Sequence, residues 1–301
     1  MDDTSVKSAY KISIESMVIN VGLFIFKLIC GLCIRSSSLV SDAVHSLSDV
    51  FSTAVVMIGI KISSRPADKN HPYGHDKVET VVAFLLALAL FVIGGGIGYD
   101  GVLKIIHPSH GNAINLVLNS VALFAALVSI ISKEWMYQFT MKCAKAIGSG
   151  AMEADAWHHR SDAMSSVGSF IGVLGIRLGY PMIDAIACLI ISLFIFKAAY
   201  DIMANAFRSL VDHACSDKTV RLILNRIISH DGVISIDALK TRPFGSKIYV
   251  DLEITADKNL TLLQAHAIAA EIHDDLENNM HNLKHCMIHV NPSGLISHHH
   301  V

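Results

Sequence analysis

Six runs of apolar residues, broken by short polar connections, fill the first two thirds of the chain, near 12–34, 39–62, 78–106, 113–136, 152–178 and 182–204. A bilayer core of ~30 Å takes ~20 apolar residues in a helix, so each run predicts a transmembrane helix. The breaks carry turn chemistry: Arg35 to Ser38, Arg65-Pro66-Ala67-Asp68, His107 to Gly111, Ile147 to Gly150, and Gly179-Tyr180-Pro181. After Asn205 the apolar runs shorten and charge returns. Ser216 or Asp217 caps a helix through Ser229, and Ile234–Thr241 and Lys247–Thr255 read as strands around a turn at Pro243–Ser246. Thr261 and Gln264 have capping-box spacing for a helix to about Met280, and His285–Val290 reads as a last strand. The pattern predicts an α-helical polytopic membrane protein of six transmembrane helices (1–208). A cytoplasmic α+β domain of ferredoxin-like αββαβ order (209–292) and a disordered tail (293–301) follow, and the tail's His298–His300 run is given no role.

Composition agrees with a membrane protein: 52% of residues are apolar and 17% are charged, against a usual charged share of about 25%. The formal net charge of −2 leaves no basic excess for nucleic acid, which is set aside as a partner. The N-terminus is acidic, and its first apolar run is too long for a signal-peptide core, so the first helix reads as retained. Six spans put both termini on one side. Lys7, Lys11, Lys61, Arg65, Lys69, Lys77, Lys133, Lys142 and Lys145 fall on that side, against Arg35, Lys104 and Arg177 opposite. By the positive-inside rule both termini are cytoplasmic.

The six cysteines give no disulfide framework, and Cys30 and Cys33 lie in an apolar helix without a second pair to complete a thiolate site. Lys27, inside the first span, reads either as snorkelling outward or as facing the bundle. Gly94 to Gly98 reads either as a close helix contact or as a flexible point.

The candidate chemistry lies in two segments. Ser41 to Phe51 places His45 and Asp49 four residues apart in the second run, and the same spacing returns in the fifth as His158 and Asp162. Residues four apart share a helical face. A single polar pair on an apolar helix is often just a satisfied contact with a neighbouring helix. Two such pairs, each flanked by small residues, offer two nitrogens and two oxygens, a set that suits a tetrahedral divalent cation and zinc above all. Ionisable groups at membrane depth are functional candidates by default.

With HSLSD in the second span, PADKNHPYGH after it, ADAWHHRSD in the fifth and a soluble C-terminal domain, the chain resembles the cation diffusion facilitators, zinc and iron efflux transporters of the bacterial YiiP type. The likeness runs from Ser8 to Pro292. It implies that His45, Asp49, His158 and Asp162 are the transport ligands, that Asp68, His71 and His75 form a loop zinc site, and that Lys77 and Asp212 interlock a homodimer. In the soluble domain it implies a metal set of Asp237, Glu253, His266, His289 and Asn291, where Asn291 stands for a carboxylate and Asp237 and Glu253 for histidines.

The resulting expectation is a secondary transporter in a bacterial inner membrane, in contact with lipid. It exports zinc, with iron(II) or cadmium as alternatives, in exchange for protons. It is not an enzyme: an intramembrane zinc protease would carry H-E-x-x-H, which does not occur. The alternative is a metal sensor or scaffold that keeps the fold without transporting.

Overall fold

The computed structural model describes residues 3–33, 37–107, 116–177, 182–280 and 282–294. The connections expected around 34–36, 108–115 and 178–181, and the tail from 295, lie outside the described residues. The chain forms two compact units, Met1–Phe207 and Arg208–Val301.

The first unit is built from six long helices: α1 (Asp3–Cys33), α2 (Ser37–Ser63), α3 (Lys77–Ile106), α4 (Leu116–Ile147), α5 (Gly150–Arg177) and α6 (Met182–Leu210). Several outrun the apolar stretches that announce them. Hydropathy marks where a helix meets lipid, while the helix stops only where its backbone is capped. α4 continues to Ile147, where Gly148 takes φ 68 and the Ser149 N–H closes on the Ala144 carbonyl at 2.9 Å. Ser149 then starts α5, its hydroxyl accepting from the Met152 N–H at 3.2 Å.

Among the described residues, three helical segments are long and apolar enough to cross a membrane: Lys7–Cys30, Lys77–Ile106 and Ala185–Leu210. The expectation of six apolar spans is met to that extent. α2, α4 and α5 have 27, 32 and 28 residues, but their apolar character is diluted by residues such as Asp49, Lys133, Asp155, His158 and Asp162. These three helices carry the chemistry.

Packing is inverted relative to a water-soluble protein. Ala43, Ala83, Ala87, Ala154, Ala156 and Ala199 are buried, whereas Val18, Val92, Leu193 and Phe194 are well exposed. Small residues let helix backbones approach, and bulky ones face the surroundings. The glycine run on α3 acts as a close contact: a Cβ on Gly98 would stand 2.6 Å from the Ser192 hydroxyl, and that hydroxyl donates to the Gly94 carbonyl at 2.8 Å. Lys27 faces the bundle, 2% exposed, with its ammonium 3.1 Å from the Ser46 hydroxyl.

The second unit has the order α7 (Asp217–Ile228), β1 (Ser235–Phe244), β2 (Lys247–Ala256), α8 (Leu262–Asn279), β3 (Leu283–Pro292). The small mixed sheet runs β1-β2-β3, antiparallel between β1 and β2 and parallel between β2 and β3. Ser216 caps α7 and the Thr261–Gln264 capping box opens α8, as their spacing predicts. β1 and β2 extend to a tighter turn than expected, at Gly245 with φ 63. Pro243 fits within β1 because β1 is an edge strand. Ile223, Ile227, Val250, Leu252, Ile254, Ile272, Leu276 and Cys286 form one core between helices and sheet. A bulge between Ile236 and Ala238 shifts the β1–β2 register at Asp237.

Candidate metal centre

α2 and α5 bring Asp49, His158 and Asp162 together, with exposures of 1%, 8% and 8%. His158 Nε2 lies 3.2 Å from Asp49 Oδ1 and 4.0 Å from Asp162 Oδ2. One ligand atom from each of the three residues falls within 4.8 Å of the others. Around a tetrahedral ion with bonds of 2.0–2.1 Å, neighbouring ligand atoms are about 3.3 Å apart, so the trio needs little adjustment to enclose a cation. His45 lies in α2 one turn before Asp49, and its side chain is outside the described ones.

α4 adds a participant that sequence reasoning placed elsewhere. Lys133, counted above as a cytoplasmic-side cation, is 1% exposed inside the bundle. Its ammonium donates to Asp162 Oδ2 at 2.9 Å and to Asp49 Oδ2. The correction has a simple cause: α4 runs eleven residues past the end of the apolar stretch, so a lysine near that end is mid-helix. Behind the trio, Thr53 donates to Asp155 Oδ1 at 3.2 Å, and fully buried His159 sets Nε2 3.6 Å from Asp155 Oδ2. Asp155 and His159 repeat the four-residue spacing on α5, a pattern visible in the sequence. Lys133 offered no such pattern.

The loop before α3 gathers Asp68, His71 and His75. Asp68 Oδ1 accepts the His71 N–H at 2.7 Å and the Asn70 N–H at 2.9 Å. Those bonds, His71's first, outweigh a small desolvation penalty and hold the exposed Asp68 carboxyl below its ordinary range. His71 Nδ1 stands 3.2 Å from Asp68 Oδ1 and His75 Nε2 3.5 Å from Asp68 Oδ2. Lys77 opens α3, and Asp212, at φ 55 after α6, lies 3.5 Å from Arg242.

In the soluble unit the expected set is spread over the sheet. Asp237 Oδ2 accepts from the Thr255 hydroxyl at 2.7 Å and from Asn291 Nδ2 at 3.0 Å, and Ser235 donates to its Oδ1 at 3.1 Å. Glu253 pairs with His289 in the β2–β3 register, and His266 is exposed on α8. Among the described residues no three of Asp237, Glu253, His266 and His289 converge. The convergence in this unit lies among His273, Glu277 and His285, which no local spacing announces as a trio.

A buried two-carboxylate, one-imidazole cage in a helical membrane unit, joined to a small α+β unit, matches known proteins in both parts. Residues 13–211 match the cation efflux transmembrane domain, and 215–293 the cytoplasmic domain of cation efflux proteins. The chain belongs to the cation diffusion facilitators. This facilitator is 36% identical to an uncharacterized transporter of Methanocaldococcus jannaschii, over 92% of its own length and 96% of the relative's. It is 32% identical to metal tolerance protein C1 of Arabidopsis thaliana, over 92% of its length and 61% of the relative's. It is also 30% identical to the manganese efflux system protein MneP of Bacillus subtilis, over 94% and 95%. The facilitator is therefore a membrane-integral exporter of divalent metal cations and not an enzyme, and the metal is its cargo.

Proposed function

We propose that this facilitator is a homodimeric, six-span antiporter that exports zinc from the cytoplasm against protons, with both termini cytoplasmic in a bacterial inner membrane. The observation that carries the reading is the meeting of Asp49, His158 and Asp162 from two helices inside the membrane unit. His45, one turn along the same helix, completes a set of two imidazoles and two carboxylates suited to zinc. Binding a cation there requires neutral imidazole and ionised carboxylate, so loading expels protons and reprotonation on the far side favours release. Lys133 sharpens the exchange. Its ammonium holds the carboxylate oxygens that a metal would need, so metal and lysine compete for one seat.

In this reading residues 1–208 transport, residues 209–292 dimerise, and Lys77 with Asp212 interlocks the dimer. Asp68, His71 and His75 form a regulatory loop site. The resemblance extends a metal role to Asp237, Glu253, His266, His289 and Asn291, although no three of the first four converge among the described residues. A manganese reading is supported by the names of two Bacillus subtilis relatives, both manganese efflux system proteins. The experiment is uptake of zinc, manganese, iron(II) and cadmium into proteoliposomes holding a pH dye. Zinc-dependent proton counterflow, abolished in Asp49→Ala and Asp162→Ala proteins that stay folded, is the expected result. Near-normal flux in either variant removes the site assignment, manganese preference transfers the cargo, and zinc binding without flux leaves a sensor.

A further inference from the structure

We propose that His273, Glu277 and His285 form a separate divalent-cation site in the soluble unit, at the seam between α8 and β3, selective for zinc-like ions over manganese, magnesium or calcium. His273 and Glu277 stand four apart on α8, and His285 is the third residue of β3. The chain joins them by leaving the helix and entering the sheet parallel to β2. Glu277 Oε1 is the meeting point, 3.3 Å from His273 Nε2 and 3.1 Å from His285 Nδ1. Neighbouring ligand atoms around tetrahedral zinc are about 3.3 Å apart, and both distances already agree with that edge.

The hydrogen bonding fixes which atoms face the centre. His273 Nδ1 lies 2.9 Å from the Cys286 carbonyl oxygen, which can only accept, so Nδ1 carries the proton. A neutral His273 ring then turns the Nε2 lone pair toward Glu277 Oε1, another acceptor. Two acceptors at that separation are reconciled by a second proton on Nε2 or by a metal cation between them. The same backbone bond orients the ring as outer-shell partners orient metal-ligating histidines. Glu277 is positioned in turn by the Cys286 N–H, which donates to Oε1 at 3.2 Å, and the His273 and His285 rings meet edge-on at 5.7 Å. Lys284, next along the strand, sets its ammonium 5.4 Å from the centre of the Phe244 ring.

Two imidazoles and one carboxylate favour borderline ions such as zinc, cobalt and nickel over manganese, magnesium and calcium. Side-chain exposures of 35%, 31% and 49% leave an approach for the ion and room for water as a fourth ligand. An ion here ties the last turns of α8 to β3 and stabilises the folded soluble unit by mass action. The site thus answers to free metal around that unit, independently of the ligands in the membrane.

The test uses the full chain in detergent with Asp49→Ala, Asp162→Ala, His71→Ala and His75→Ala, which removes two of the four membrane ligands and two of the three loop ligands. Its outcome is therefore separate from whether the transport reading holds. Equilibrium dialysis against zinc alone is compared in this background and after adding His285→Gln or Glu277→Gln. Glutamine at 277 keeps an oxygen for the Cys286 N–H while removing the charge, and melting in chelator checks folding. The expected result is loss of one zinc equivalent per protomer, or a more than tenfold weaker affinity for it. Zinc-induced thermal stabilisation should be lost in parallel. Unchanged stoichiometry and affinity in a folded Glu277→Gln protein, or no zinc bound by the folded background, overturns the proposal. So does manganese binding as tightly as zinc in a parallel dialysis of the same background.

Discussion

Lys133 shows how one side chain changes the account of the site. Unit charges about 4 Å apart at an effective dielectric near 20 interact by about 4 kcal/mol, so an ammonium beside a bound dication opposes it strongly. Lys133→Met should tighten zinc binding by about tenfold or more, a change of about 1.4 kcal/mol, while slowing release and turnover. Zinc titration alongside single-turnover flux would show this; unchanged affinity would mean that the lysine leaves the seat whenever metal arrives. Cys286 gives a second residue-level prediction. Burial first, then Glu277 and Asp251, push its thiol up to about 12, so the folded protein holds it neutral. The associated stability is present below the unfolded thiol's pKa near 8.5 and is lost as pH rises toward the folded value. Iodoacetamide at pH 8.5 should leave Cys286 unmodified until the protein is denatured, and rapid labelling of native protein would contradict its burial. The sequence showed Asp49, His158 and Asp162 because four-residue spacing in an apolar run is a local pattern. Lys133 and the His273–Glu277–His285 trio depend on which helix or strand lies alongside, and no spacing records that.

At the scale of elements, backbone caps were more legible than helix lengths. Ser216 and the Thr261–Gln264 pair each start a helix where the sequence places it, because a cap is settled within four residues. α1, α4 and α6 extend beyond their apolar runs, since charged residues continue a helix into water without announcing themselves. Thr261→Ala removes the hydroxyl that accepts the Gln264 N–H and leaves the backbone N–H of residue 261 bonded to Gln264 Oε1, at a cost of about 1 kcal/mol. The amides of the first turn of α8 should then exchange about fivefold faster, with the β2–β3 pairing unaffected. Equal loss of protection across the sheet would show that the cap stabilises the whole unit instead.

For the whole molecule, moving Lys133 into the bundle tests the orientation argument. Eight cations remain at the helix ends and connections on the terminal side, from Lys7 to Lys145, against Arg35, Lys104 and Arg177 opposite. The bias that argues for cytoplasmic termini therefore survives. A C-terminal tag should resist external protease in intact bacterial cells and be cleaved after the membrane is opened; cleavage in intact cells would invert the topology. The junction at Gly148 and Ser149 adds a mechanical consequence. It is the whole connection between α4 and α5, so the two helices form a fork with one handle. At 1.5 Å per residue, Lys133 and Asp162 lie about 24 Å and about 20 Å along its prongs. A swing of about 10° at the handle carries them by about 4 Å and about 3.5 Å together, enough to part Lys133 from Asp49. The fork can thus leave α2 with its own ammonium and carboxylate still joined, opening the seat on one side without parting that pair.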